Sequence, residues 1–193
     1  MTVACLGDSN TAEGWPTANT IRWCEMAAAA QPTATVWRYR QLVTEPTAGL
    51  NVAVGGATVC PLPGWSWSFS QLMIAKAHGA DVVIAAFGSN DLFGLRKTPA
   101  EIVQCYRDLV ALAGPLPLYI ALTPPVFNKI DPGYDAMVQA LNDALRAAFP
   151  PSQLIDFYTD FTADDFTGDG VHLDLDLGQP KRAAIALSFL EAK

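Results

Sequence analysis

Basic residues are scarce in this chain: twelve lysines and arginines stand against nineteen acidic residues, leaving a net charge of −7 over 193 residues. A chain this acidic repels a phosphate backbone, which excludes nucleic acid as a natural partner. Charged residues make up only 16% and apolar ones 51%. Those proportions exclude a disordered chain and a coiled coil, and they supply enough apolar side chains for one sizeable core. Long apolar runs are also missing. Residues 46–75 and 109–128 carry no charge, yet Pro46, Pro61 and Pro63 interrupt the first, and Pro115, Pro117, Pro124 and Pro125 the second. A lipid-facing helix of about 20 residues is not punctuated so often, so no membrane association is expected. The first six residues lack a basic region and leave no room for a signal-peptide apolar region before polar Asp8, and as it stands the sequence reads as cytoplasmic, or as secreted if a leader precedes it. Cys5, Cys24, Cys60 and Cys105 show no CxxC spacing and no cluster; they are expected to be buried free thiols.

What is present is an alternation of short apolar runs and helical patterns. Val3–Leu6, Leu50–Val54, Val82–Phe87, Leu118–Leu122 and Leu154–Phe157 read as strands, the third apolar on both faces. Thr98-Pro99-Ala100-Glu101 is a capping box with proline in the first turn, and an amphipathic run follows to Ala113. Asp131-Pro132 opens a further helix that Pro150-Pro151 ends, and helices are also expected over 19–30, 68–77 and 179–191. No linker divides residues 1–193. The pattern predicts a single α/β domain, a three-layer α/β/α sandwich around a five-stranded parallel sheet. Function then belongs in the loops after the strands.

Those loops carry chemistry. Gly7-Asp8-Ser9-Asn10-Thr11 follows the first strand and exposes a serine that needs a base to become nucleophilic, or that simply caps the next helix. Only two histidines are available. His78 sits before Gly79 at a helix end, where a structural role fits. His172 lies in a glycine-rich loop after the last strand, three residues beyond Asp169, a spacing that lets the carboxylate reach Nδ1. Ser9, His172 and Asp169 can thus form a triad. For a developing oxyanion, the Ser9 amide, the Gly55-Gly56 loop after the second strand and the Asn90 side chain after the third offer three donors.

Four blocks, Gly7-Asp8-Ser9, Asn51-Val52-Ala53-Val54-Gly55-Gly56, Gly88-Ser89-Asn90-Asp91 and Asp169-Gly170-Val171-His172, span nearly the whole chain, and in them the sequence resembles the SGNH (GDSL-type) hydrolases. The resemblance implies a flavodoxin-like sheet of five parallel strands and no metal or organic cofactor. It implies that Ser9 is the nucleophile, His172 the base and Asp169 its orienter, and that Ser9, Gly56 (rather than Gly55) and Asn90 form the oxyanion hole. It further implies a serine ester hydrolase, closest in its first block to arylesterases and acetylesterases, acting on small or short-chain acyl esters. A carbohydrate O-acetylesterase with the same site stays open.

Trp15, Trp65 and Trp67 follow the first two blocks and are candidates for substrate stacking or for packing at the sheet edge. Seven of the nineteen acidic residues fall between Asp156 and Asp176, with no lysine or arginine from 147 to 180. That run matches no calcium-loop spacing, and its field favours a small neutral ester, or an acetylated carbohydrate, over an anion. A flavodoxin-type FMN carrier would use the same fold but does not need Asp169, His172 or Asn90, and against a catalytically idle binding module the four blocks carry no substitution that suggests lost activity.

Overall fold

The computed structural model describes residues 2–12, 23–29, 37–38, 50–127 and 133–193. Its strands are β1 (Val3–Gly7), β2 (Trp37–Arg38), β3 (Leu50–Asn51), β4 (Val82–Ala86), β5 (Leu118–Ala121) and β6 (Leu154–Ile155), and its helices α1 (Trp23–Ala29), α2 (Trp67–Ala77), α3 (Ser89–Phe93), α4 (Pro99–Ala113), α5 (Gly133–Ala148) and α6 (Gly178–Glu191). All five expected strands are present. A sixth, the two-residue β2, extends the edge beside β3, and the spatial order is β2-β3-β1-β4-β5-β6 with every pair parallel. With β2 set aside, this is the flavodoxin-like order 2-1-3-4-5. The second strand is shorter than its sequence suggests, although the Val52 and Val54 amides still donate to the Cys5 and Gly7 carbonyls (3.1 and 3.0 Å).

The period-two alternation of β1 and β4 divides the core between two faces of the sheet. Ala4, Leu6, Val83 and Ala85 join Leu72, Ile102, Leu109 and Leu141 from α2, α4 and α5. Val3, Cys5, Val82 and Ile84 face the other way, onto Trp23 of α1 and Ala183 and Ala186 of α6. Every residue of β1 and β4 is buried, which is why both read as uninterrupted apolar runs. The α4 cap forms as expected: Thr98 Oγ1 accepts from the Glu101 amide and the Glu101 carboxylate accepts from the Thr98 amide. His78 closes α2, and Gly79 follows it with φ +73°.

The expectation of free thiols is overturned. Cys5 on β1 is bonded to Cys24 on α1, and Cys60 in the loop before α2 to Cys105 on α4. The first joins a strand and the second a loop to a helix packed over it, a proximity that linear spacing does not reveal. The acidic run forms no metal cluster: among the described residues no group of three histidine, cysteine or carboxylate side chains is placed to hold an ion. Among them, too, no helix is long and apolar enough to cross a membrane.

Parallel pairing of β1 with β4 sets Gly7 opposite Ala86, so the loops that follow these two strands emerge side by side at the switch point of the sheet.

Candidate active site

The β1 loop turns tightly because Asp8 organises it. Its carbonyl accepts from the Thr11 and Ala12 amides (3.0 and 2.7 Å) and its carboxylate from the Asn10 amide (3.0 Å). Glycine is obligatory just before it: a Cβ on Gly7 would lie 2.7 Å from the Ala86 carbonyl oxygen and 2.8 Å from Thr11 Cβ. Gln71 of α2 clamps the same peptide, accepting from the Gly7 amide at 2.8 Å and donating to its carbonyl at 3.1 Å. Ser9 follows, partly exposed, at the top of the turn.

The turn between β6 and α6 brings the other two triad candidates to it. Asp169 Oδ1 accepts from Thr167 Oγ1 and from the Val171 and His172 amides (2.8, 2.8 and 2.9 Å), while Gly170 adopts φ +67°. Oδ2 meets His172 Nδ1 at 2.6 Å, and His172 Nε2 meets Ser9 Oγ at 3.0 Å. Partial burial alone would raise the Asp169 carboxyl. The hydrogen bonds from His172, its backbone, Val171 and Thr167 outweigh it and hold the group well below the usual carboxylate range. An ionised carboxylate only accepts, so the proton of a neutral imidazole sits on Nδ1 and Nε2 accepts from the serine hydroxyl. This chain of contacts can remove a proton from Ser9 and deliver it elsewhere.

Asn10 ties the two loops together across more than 160 positions. Its Nδ2 donates to the Val171 carbonyl at 3.2 Å, and its Oδ1 accepts from the Leu173 amide at 2.9 Å, so both neighbours of His172 are held. The Asn10 carbonyl in turn accepts from Gln179 Nε2 (3.1 Å) and Arg182 Nη1 (3.5 Å) of α6. Arg182 is buried beneath the site with its guanidinium over Phe157 at 4.4 Å. Burial pushes the Asp8 carboxyl up, and the Arg182 charge opposes that shift.

In the loop after β3, Gly56 takes φ +79° in an exposed turn closed by the Ala57 amide on the Val54 carbonyl (3.0 Å). Asn51 fastens the start of this block to the β1 loop by donating to the Thr11 carbonyl at 2.7 Å. Asn90, at the start of α3, donates one amide hydrogen to the Ala57 carbonyl at 3.1 Å, leaving the second for a substrate oxygen. The Gly88 before it sits at φ +133°, against Thr123 and Leu141, where a Cβ has no room. Asp91 is fully buried and accepts from the Val59 and Cys60 amides. Burial pushes its carboxyl up to about 7, with those two amides pulling the other way.

Of the aromatic candidates, Trp65 is 52% exposed and meets Trp67 edge-on at 5.6 Å, whereas Trp67 packs partly against the core. Trp15 lies outside the described residues. The roles of Asn10, Asp91, Gln71 and Arg182 were not foreseen. For Asn10 and Asp91 the available signal is a polar residue inside a strand-end motif; for Gln71 and Arg182 it is a polar residue on a helix face that is otherwise buried.

A model of the GDSL-like lipase/acylhydrolase family matches residues 5–176 of this chain. The chain belongs to that family. It is thus an ester hydrolase of the SGNH type, and the FMN-carrier alternative falls. Among solved structures, a lipase/acylhydrolase from Enterococcus faecalis is 18% identical with a TM-score of 0.71, covering 100% of this chain and 96% of its own. A carbohydrate acetylesterase from Sinorhizobium meliloti is 22% identical with a TM-score of 0.66, covering 100% and 99%. A carbohydrate esterase family 3 protein from Talaromyces cellulolyticus is 16% identical with a TM-score of 0.70, covering 100% and 97%. These likenesses establish the shared fold. No curated protein matches the chain.

Proposed function

We propose that this esterase cleaves small or short-chain acyl esters through an acyl-enzyme on Ser9, with His172 as general base and Asp169 as its orienter. The observation that carries the reading is the continuous contact from Asp169 Oδ2 through the His172 ring to Ser9 Oγ, at 2.6 and 3.0 Å. In the first half-reaction Ser9 Oγ attacks the ester carbonyl carbon as its proton passes to Nε2. The imidazolium then protonates the departing alkoxide oxygen while the carbon–oxygen bond breaks. In the second half-reaction water attacks the acyl-serine by the same route.

The negative charge that develops on the carbonyl oxygen is assigned to the Ser9 and Gly56 amides and the Asn90 side chain. The turn closed on Val54 and the Asn90 contact with Ala57 support that assignment, since both stiffen the donors before substrate arrives. The substrate is a neutral ester: seven acidic residues flank His172 in sequence, and the stretch from 147 to 180 has no lysine or arginine to hold an anion.

A second reading, a carbohydrate O-acetylesterase using the same groups, is favoured by exposed Trp65 with Trp67 beside it, a surface suited to a sugar ring. The structurally similar carbohydrate acetylesterase and carbohydrate esterase family 3 protein point the same way. Trp15 belongs to this second reading as a candidate from sequence alone.

The test is p-nitrophenyl acetate hydrolysis at pH 8 by the wild type and by Ser9→Ala. Activity that falls by about 10⁶-fold in the variant establishes the serine mechanism; equal activity in the two proteins refutes it. Acetylated xylosides against aryl acetates then separate the two substrate classes, and Trp65→Ala tests the stacking surface. A change in stability with kinetic constants unaltered would assign Trp65 to packing.

A further inference from the structure

A cleft of about 520 Å³ opens against His172. Its described walls are the turn that carries Asp169 and His172, the aromatic rings of Phe166 and Phe127, and the segment around Asp164. Ser9, Gly56 and Asn90 are not among those walls. This division has a chemical meaning. An ester bound for attack places its carbonyl oxygen at the oxyanion donors and its leaving oxygen within reach of His172 Nε2, which must protonate it. A recess walled by the base and not by the oxyanion donors therefore lies on the alcohol half of the substrate.

The walls also say what that half looks like. Phe127 is 36% exposed, and Phe166 supports it edge-on, with centroids 5.2 Å apart and the planes at 61°. The Phe127 amide donates to the Gly170 carbonyl at 2.8 Å, which fixes the segment bearing this ring to the turn that bears His172. The charged side chains among the described walls are two carboxylates, Asp164 and Asp169, with no cation to pair with an anionic ligand. A volume of this size admits a six-membered ring with substituents.

We infer that this cleft is the leaving-group subsite, and that it takes an uncharged ring alcohol, aryl or pyranosyl, packed on Phe127. The inference rests on the acyl-enzyme reading given above. In the step concerned, the imidazolium proton on Nε2 moves to the leaving oxygen, the electrons of the breaking carbon–oxygen bond stay on that oxygen, and a neutral ring alcohol departs from acetyl-Ser9.

Because every acetate gives the same acetyl-enzyme, the subsite acts on acylation and is read in kcat/KM across alcohols. The assay compares ethyl acetate, phenyl acetate, 4-carboxyphenyl acetate and a mono-acetylated methyl xyloside, with the wild type, Phe127→Ala and Gly168→Leu. Gly168 is in the cleft wall, and a Cβ there meets nothing within 4 Å, so a larger side chain starts from open space at the cleft's edge.

Phe127→Ala is expected to lower the phenyl-to-ethyl or the xyloside-to-ethyl ratio of kcat/KM about 3- to 10-fold, the scale of one lost aromatic contact. Gly168→Leu lowers the same ratio. Whichever ring substrate responds identifies the alcohol class, and either response supports the subsite. In the wild type, 4-carboxyphenyl acetate is turned over less efficiently than phenyl acetate, with the gap narrowing as salt is added.

Ratios unchanged in both variants would overturn the subsite, as would an effect on acetyl against butyryl preference with one common alcohol, which would make the cleft an acyl pocket. Undiminished hydrolysis by Ser9→Ala would overturn the acyl-enzyme reading itself. Ser9-dependent hydrolysis with flat ratios removes the subsite alone.

Discussion

Asp91 holds Cys60 from 31 positions away: its Oδ1 accepts the Cys60 amide at 2.8 Å, and its Oδ2 accepts the neighbouring Val59 amide at 3.0 Å. The acid next to Asn90 thus fastens the loop that descends from Gly56. Two candidate oxyanion donors from different strand ends are kept in register by one buried carboxyl.

That carboxyl gives the protein a pH-dependent stability with a definite sign. Its folded pKa is raised to about 7, against about 3.9 in the unfolded chain. Between those values the folded state binds a proton that the unfolded state lacks, so this group's contribution declines as pH rises from about 4 to 7 and is flat above. Asp91→Asn cannot titrate. The stability difference between wild type and Asp91→Asn should therefore shrink or reverse by 2–4 kcal/mol, an order-of-magnitude figure, across that window. Urea midpoints at pH 4.5, 6 and 7.5 check it; parallel curves for the two proteins would exclude the effect.

Asn10 has a different part to play. Its side chain holds the Val171 carbonyl and the Leu173 amide, so Asn10→Ala strands two polar groups in a largely buried place. The expected cost is about 1–3 kcal/mol of stability. Because the loop it releases carries His172, kcat should fall on the order of 10- to 100-fold while KM changes little. Steady-state kinetics alongside thermal melts separate this from general unfolding.

Gly7→Ala should be among the most damaging single-methyl additions. The new Cβ meets backbone, the Ala86 carbonyl at 2.7 Å, which cannot swing aside as a side chain does. A loss of about 3 kcal/mol is expected. Gly168→Ala, with open space around its Cβ, should change the unfolding free energy by less than about 0.5 kcal/mol. The pair of variants measures the effect of space at one residue type.

The disulfides make a further prediction. Cys5–Cys24 and Cys60–Cys105 close loops of 19 and 45 residues. On the chain-entropy account these contribute roughly 3 and 4 kcal/mol, so Cys105→Ala should lower the melting temperature clearly and reductant should reproduce most of that drop. Thiol titration of the denatured, unreduced protein should find none of the four cysteines reactive.

The sequence announced the middle of this fold better than its edges. β1 and β4 are buried on both faces and read as unbroken apolar runs, and α4 carries its own capping box. Trp37–Arg38 is not legible in the sequence because two residues at a sheet edge carry no periodicity, and their pairing with β3 is a tertiary event. Ser9, His172 and Asp169 were legible because with two histidines in the chain the choice of base is nearly forced. Asn10 and Asp91 were not, since an asparagine or aspartate after a strand reads equally well as an ordinary turn residue. The cysteine pairs stayed hidden for a related reason: bonding depends on which helix lies over which strand end. In each case the missing information was a contact between distant segments.

On the proposed mechanism, the 163-residue separation of Ser9 from His172 also determines when activity arises. During synthesis Ser9, the proposed nucleophile, leaves the ribosome early, and His172, its proposed base, only after every described strand of the sheet has been made. Until the turn at 167–172 docks through Asn10, the serine is an ordinary alcohol, and the growing chain is chemically inert. Such high contact order slows folding. If His172 is the base, an N-terminal fragment ending before the last loop should not hydrolyse an ester, and catalytic turnover would then report that the loop at 167–172 has docked.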